Sequence, residues 1–185
     1  MRAQALPCVA ATRSRPDLGL ILQEGELYVR GPAVFDRYYG RPDATECAFA
    51  PGGWFRTGDI ARRSADGYAI LGRASVDVMK SSGYKISALE IERKLLEWAE
   101  ITEIAVLGVH SDAYGQRVAA VVVPARTPPE GLGDDDRMLE ALRDFGASRL
   151  ARYKLPTRLR AVSAIPKNAV GKINKKELAR LFDDE

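Results

Sequence analysis

Two runs of β-branched residues, 104–109 and 118–123, lie on either side of a polar turn containing Asp112 and Gly115. Val and Ile pack well on a pleated surface and stiffen the backbone there, so the runs read as two adjacent strands. Upstream, Leu89, Ile91, Leu95, Leu96 and Trp98 recur at helical spacing, with Ser87 placed to cap the first turn and Glu90 three residues later. Downstream, Met138, Leu139, Leu142, Phe145 and Leu150 give a second helix a buried face. Asp134, Asp135 and Asp136 set negative charge at its positive amino end. Residues 128–133 read as a loop, 159–162 as a short strand and 175–182 as a terminal helix. Alternation of this kind implies an α+β or α/β unit.

The chain before this unit is patterned differently. Residues 1–25 are interrupted by Pro7, Pro16 and Gly19, so any strand there is expected to find its partners elsewhere. From Glu26 the alternation Glu-Leu-Tyr-Val-Arg reads as a strand, stopped by Gly31-Pro32. A Pro51-Gly52-Gly53 turn precedes residues 54–60, and Asp66-Gly67 turns the chain into Tyr68-Ala69-Ile70-Leu71, a hairpin signal. Residues 75–87 read as a connector followed by a loop, which places a domain boundary at 75–77.

Composition narrows the function classes. Twenty-eight basic and 25 acidic side chains are interleaved along the chain, giving a formal charge of +3 without a single-sign tail, and nucleic acid is not an expected partner. Cys8 and Cys47 match no metal-ligand or redox spacing, so they read as reduced thiols of an intracellular, cytoplasmic protein, with the mitochondrial matrix or peroxisome as further compartments. No apolar run approaches the roughly 20 residues that span a bilayer, so no membrane span is expected. His110, the only histidine, sits at a strand end and receives no catalytic role.

Four short segments carry more specific information. They are Trp54-Phe55-Arg56-Thr57-Gly58-Asp59; Gly72-Arg73; Ser82-Gly83-Tyr84-Lys85-Ile86 followed by Glu90-Ile91-Glu92; and Pro166-Lys167 with Gly171-Lys172-Ile173. In this order and spacing they resemble successive signatures of the adenylate-forming superfamily of acyl-CoA synthetases, luciferases and peptide-synthetase adenylation domains. The stretch from Gly72 through Glu90 is most similar to malonyl-CoA synthetase-like enzymes. The resemblance implies an α+β lid domain, a small mixed sheet flanked by helices, at 78–185. It further implies a hinge at 75–77 and a β-rich end of the large adenylation domain at 1–74. It also implies an AMP-forming acid–thiol ligase, which joins a carboxylate to AMP with release of pyrophosphate, then turns its lid and passes the acyl group to coenzyme A.

The same resemblance assigns roles, each of which has a plainer alternative. Asp59 would bind the ATP/AMP ribose, since an ionised carboxylate accepts from two hydroxyls; taken alone it reads equally as closing a turn after Gly58. Arg73 would contact the nucleotide through its planar guanidinium, or else be a surface arginine at a strand end. Lys172, on an exposed and flexible loop, would be the catalytic lysine, stabilising charge at the α-phosphate electrostatically; most lysines in such loops are merely solvated. Ser82, Gly83 and Tyr84 would line the coenzyme A tunnel, or form a tight turn that needs glycine. Lys85 and Arg117 are candidates for the coenzyme A phosphates.

Two departures qualify the pattern. The hinge stretch Ala74-Ser75-Val76-Asp77 differs from the family's usual form, leaving Ser75, Val76 and Asp77 all open as the hinge residue. The Ser/Thr/Gly-rich phosphate loop, the glutamate motif for Mg2+ and the acyl pocket, which the family places upstream, are absent from these residues, and no metal ligand is assigned here. The expected partners are therefore a small carboxylic acid, malonate or a similar short acid, and the missing large domain, without which the chain is not expected to complete a cycle. A non-catalytic nucleotide-binding or regulatory lid and a carrier-protein-loading adenylation domain are the alternative readings.

Overall fold

The two β-branched runs pair as antiparallel strands, and the rest of the carboxy-terminal part is arranged around them. The computed structural model describes residues 2–6, 23–64, 67–126 and 135–183. The expectations placed on Pro7, Cys8, Pro16, Gly19, Asp66, the 128–133 loop and Asp134 lie outside the described residues. The chain divides into two compact units, Met1–Ser75 and Val76–Glu185.

In the first unit, strands β1 (Arg2–Leu6), β2 (Gln23–Arg30), β3 (Phe49–Ala50), β4 (Trp54–Ser64) and β5 (Gly67–Arg73) form one antiparallel sheet. Its order is β1-β2-β4-β3, with β5 also paired on β4. The amino-terminal strand thus finds its partner within the unit, contrary to the sequence expectation: Arg2 lies opposite Arg30 and Leu6 opposite Glu26. Backbone pairing needs no apolar pattern, which is why the irregular sequence there did not announce it. A short helix, α1 (Pro42–Ala48), begins with a proline at a position whose N–H would have no helical partner. Phe35, Tyr38, Phe49 and Phe55 cluster with ring centroids 4.9 to 5.6 Å apart. The cluster is open to solvent at Phe35, which is 41% exposed. Among the described residues, Ala61 is the only buried apolar side chain of this unit.

The second unit holds a mixed sheet. Strand β6 (Val78–Ser81) and β7 (Tyr84–Ser87) form a hairpin, and β8 (Ile101–Ser111) runs antiparallel to β9 (Gly115–Pro124). Strand β10 (Arg158–Ala161) lies parallel to β9, and Ser81 bridges Gly115 to hang the hairpin on the same strand. Helices α2 (Ala88–Leu95), α3 (Asp135–Ala147) and α4 (Lys175–Ala179) complete it. Because strand side chains alternate between faces, β8 and β9 feed two cores. Ile104, Val106, Ala120 and Val122 pack with Ile91 and Leu95 of α2 and Met138 and Leu142 of α3. Ala105, Leu107, Ala119 and Val121 pack with Ile165, Leu178 and Phe182 beyond the opposite face. A Cβ at Gly146 would come within 3.0 Å of Leu95 Cδ2, so glycine lets α3 approach α2 closely. Fully buried Leu142 is the size of side chain whose truncation to alanine costs about 2–5 kcal/mol.

The fold is the expected α+β arrangement, with three local differences, of which the first is that α3 ends at Ala147, so Leu150 joins the core from beyond the helix. Residues 78–87 are a tight hairpin rather than a loop, its turn formed by Ser82 and Gly83 at φ +49° and +82°. Two positive φ values in succession mark a primed turn, which follows strand twist; glycine supplies one, and Ser82 is the only described non-glycine residue to supply such an angle. Helix α2 ends at Leu95, so Trp98 leaves the helix and stacks on Phe145 at 6.1 Å. The amino cap is as expected: Ser87 Oγ accepts from the backbone N–H of Glu90 at 3.1 Å. Among the described residues no helix is long and apolar enough to cross a membrane.

Candidate functional site

Asp59 and Arg73 stand opposite each other on β4 and β5, and Arg73 Nε lies 3.1 Å from Asp59 Oδ1. The local backbone explains why. Thr57 Oγ1 donates to the carbonyl of Leu27 at 2.8 Å and accepts from the N–H of Asp59 at 3.0 Å. Gly58 takes φ +75°, and its carbonyl accepts from the N–H of Ala74 at 2.9 Å. The carboxylate is therefore fixed by main-chain contacts on both sides of it. These residues line a cleft of about 610 Å³ together with Glu26, Tyr38 and Arg56. Arg56 is engaged by Glu26 at 3.2 Å, whereas among the described residues only one oxygen of Asp59 has a partner. A carboxylate with a spare oxygen beside an arginine in an open cleft can accept from paired hydroxyls while the guanidinium holds an anion.

The second unit carries its own cleft, of about 400 Å³, at the β6–β7 turn. Ser82 and Tyr84 line it, with Arg117, Tyr114, Arg152 and Tyr153. Tyr84 stacks on Tyr153 with ring centroids 4.5 Å apart and planes 19° from parallel. The Arg117 guanidinium lies 4.9 Å from the Tyr114 ring, a cation–π distance. Arg143 also lines the cleft, but it donates to the carbonyl of Pro156 at 2.7 Å. Gly83 has open space where a Cβ would stand, and Lys85 is exposed on β7 outside the lining. Aromatic faces interleaved with guanidinium groups suit a ligand that combines a planar ring with phosphate.

Lys172 is exposed at the end of a loop that is more ordered than its composition suggests. Lys167 bridges Ile173 across the loop, and the N–H of Asn168 donates to the carbonyl of Lys172 at 2.9 Å. Asn168 Oδ1 accepts from the N–H groups of Val170 and Lys172 at 3.1 and 2.9 Å. Gly171, at φ +78°, makes the bend possible. Lys167 is anchored to Glu103 of β8 at 2.6 Å. Among the described residues the ammonium of Lys172 has no ion-pair partner.

The structure thus joins Asp59 to Arg73 in the first unit, and Ser82, Tyr84 and Arg117 in the second, with Lys172 on a separate loop of the second unit. Sequence reasoning missed Arg152 and Tyr153, which reach the cleft from a turn distant in sequence, and Asn168. The Asn-x-x-Gly spacing was a signal for the latter, since asparagine side chains accept from amides two residues on.

Residues 90–172 match the family described as AMP-binding enzyme C-terminal domain. The chain is 48% identical over 158 residues to malonate–CoA ligase ACSF3, mitochondrial, of Mus musculus, covering 85% of this chain and 26% of that protein. It is 42% identical over 165 residues to malonate–CoA ligase of Arabidopsis thaliana, covering 87% and 27%. Among solved structures, ATP-bound MatB from Rhodopseudomonas palustris superimposes with a TM-score of 0.77 at 29% identity, covering 99% of this chain and 34% of that one. The chain spans about a quarter of the length of these curated relatives.

Proposed function

Because the chain belongs to the adenylate-forming enzymes through their AMP-binding C-terminal domain, we propose that it is the lid and lid-proximal part of an AMP-forming acid–thiol ligase. The substrates of that reaction are ATP, coenzyme A and a short carboxylic acid of the malonate type. The substrate class is supported by the names of the mouse and Arabidopsis relatives. The large domain, of which this chain holds only the β-rich end, is the partner.

In this reading Asp59 accepts from the ribose hydroxyls with its spare oxygen, while Arg73 orients it and offers N–H groups to the nucleotide. Lys172 brings a positive point charge to the α-phosphate as the carboxylate attacks, which stabilises the negative charge building on the phosphoryl oxygens. No proton moves in that step. After the lid turns, the Ser82-Gly83 turn lines the path of the thiol, and the Tyr84–Tyr153 stack with Arg117 and Arg152 receives the nucleotide end of coenzyme A. The described residues contain no group of three or more His, Cys, Asp or Glu side chains fit to hold a metal ion, so no step runs here through the Mg2+ that such enzymes use.

The observation that carries the reading is Lys172 itself, an exposed ammonium without an ion-pair partner among the described residues, presented by a loop braced through Asn168 and Lys167. Complementation tests it. A malonate–CoA ligase deprived of its own lid should regain acyl-CoA formation when this chain is joined to its large domain, and not when the joined chain carries Lys172→Ala. No recovery with the unaltered chain would refute the proposal.

A further inference from the structure

Lys175 is the one buried ionised side chain among the described residues, 9% exposed. Its ammonium lies 2.7 Å from Asp77 Oδ1 and 2.8 Å from Glu92 Oε1. The same Glu92 oxygen accepts from the N–H of Val106 at 2.8 Å, and the carbonyl of Asp77 accepts from the N–H of Ala88 at 2.7 Å. One side chain at the start of α4 therefore ties together the entry to β6, helix α2 and strand β8. It sits three residues after Lys172.

Burying an ion group is a poor way to gain stability, because a well-packed apolar side chain of similar volume often does as well. What a lysine with two carboxylates adds is register: it fixes where the Asp77 end of the chain sits. On the other side of the boundary, the N–H of Ala74 donates to the carbonyl of Gly58 and Arg73 is paired with Asp59, both within the first unit. Between the two anchorages lie only Ser75 and Val76, both exposed and outside every strand and helix.

We infer that Lys175 is a positioning residue that locks Asp77 into the second unit, so that the pivot of the chain is confined to Ser75–Val76 and the Lys172 loop turns as one body with the unit. Its consequence rests on the turning lid proposed above; the anchorage itself does not.

The test is the {1H}-15N heteronuclear NOE of the 185-residue chain, which reports backbone motion on the ps–ns timescale and needs no substrate. In the unaltered chain Asp77 should match the sheet residues of β6, with Ser75 and Val76 clearly lower. Lys175→Gln should drop Asp77 to the level of its two predecessors, and Lys175→Arg should restore it. Asp77→Asn, which leaves the Lys175–Glu92 pair to neutralise the interior, should loosen position 77 alone and serves should Lys175→Gln not fold. Leu178→Ala weakens α4 without touching an ion and should leave Asp77 unchanged. The inference is overturned if Asp77 is as mobile as Val76 in the unaltered chain, if it stays rigid in a folded Lys175→Gln or Asp77→Asn variant, or if Leu178→Ala frees it equally. A chain that holds Asp77 rigid yet never supports ligation would refute the lid reading and leave this one standing.

Discussion

The side-chain oxygen of Asn168 lies 2.9 Å from the backbone nitrogen of Lys172 and 3.1 Å from that of Val170, so one amide closes the loop that presents the lysine. Each such bond is worth about 1 kcal/mol net, and 1.4 kcal/mol is a factor of ten. Asn168→Ala should accelerate hydrogen exchange at the Lys172 amide about tenfold. In an enzyme completed with a large domain it should slow acyl-adenylate formation by about the same factor. Asn168→Asp, which keeps the acceptor, should recover most of the loss.

Lys172→Ala separates the two half-reactions. Loss of one preorganised charge-stabilising donor costs about a hundredfold or more, which should appear in pyrophosphate exchange. Thioester formation from preformed acyl-AMP should stay within a few-fold of the unaltered rate. Equal damage to both steps would make the loop a structural element.

The Ser82-Gly83 turn predicts the opposite pattern. Gly83 has φ +82° and open space around its missing Cβ, so Gly83→Leu costs about 1–2 kcal/mol of backbone strain and projects a bulky group outward. Thioester formation should fall while pyrophosphate exchange holds. Ser82→Asn should raise the melting temperature by a few degrees, because Asn-Gly is the favoured pair for a primed turn.

Limited proteolysis should leave a fragment close to residues 76–185. Both enclosed cores lie there, whereas among the described residues the first unit buries only Ala61 and exposes its aromatic cluster at Phe35 and Tyr38. Equal protection of residues 23–73 would contradict this.

Much of the second unit could be read from periodicity. Ile104 to Val109 and Val118 to Val123 advertise paired strands, and Ser87 with Glu90 advertises a helix start, because these signals are local. The hairpin at 78–87 was hidden since Ser81, Ser82 and Lys85 break the apolar alternation, leaving turn geometry at Gly83 as the sole cue. The Asp59–Arg73 pair required knowing that β4 and β5 are in register, and the Tyr84–Tyr153 stack joins residues far apart in the chain. Nothing in the sequence around Lys175 marks it as buried; only the fold, by bringing Asp77 and Glu92 to it, makes it so.

Gly108 is bare because the amide of Gln116 occupies the space its side chain would need: a Cβ there would stand 2.8 Å from Gln116 Nε2. Gln116 Oε1 in turn accepts from the N–H of Lys80 at 2.8 Å and so steadies the hairpin that carries Ser82 to Tyr84. The lysine loop leans instead on Glu103 and on the Asp77–Lys175–Glu92 cluster. The hairpin turn and the lysine loop thus each have a brace of their own, Gln116 and Glu103, while Lys175, by holding Asp77 at the foot of β6, makes the two faces of the small unit answer to one shared anchor.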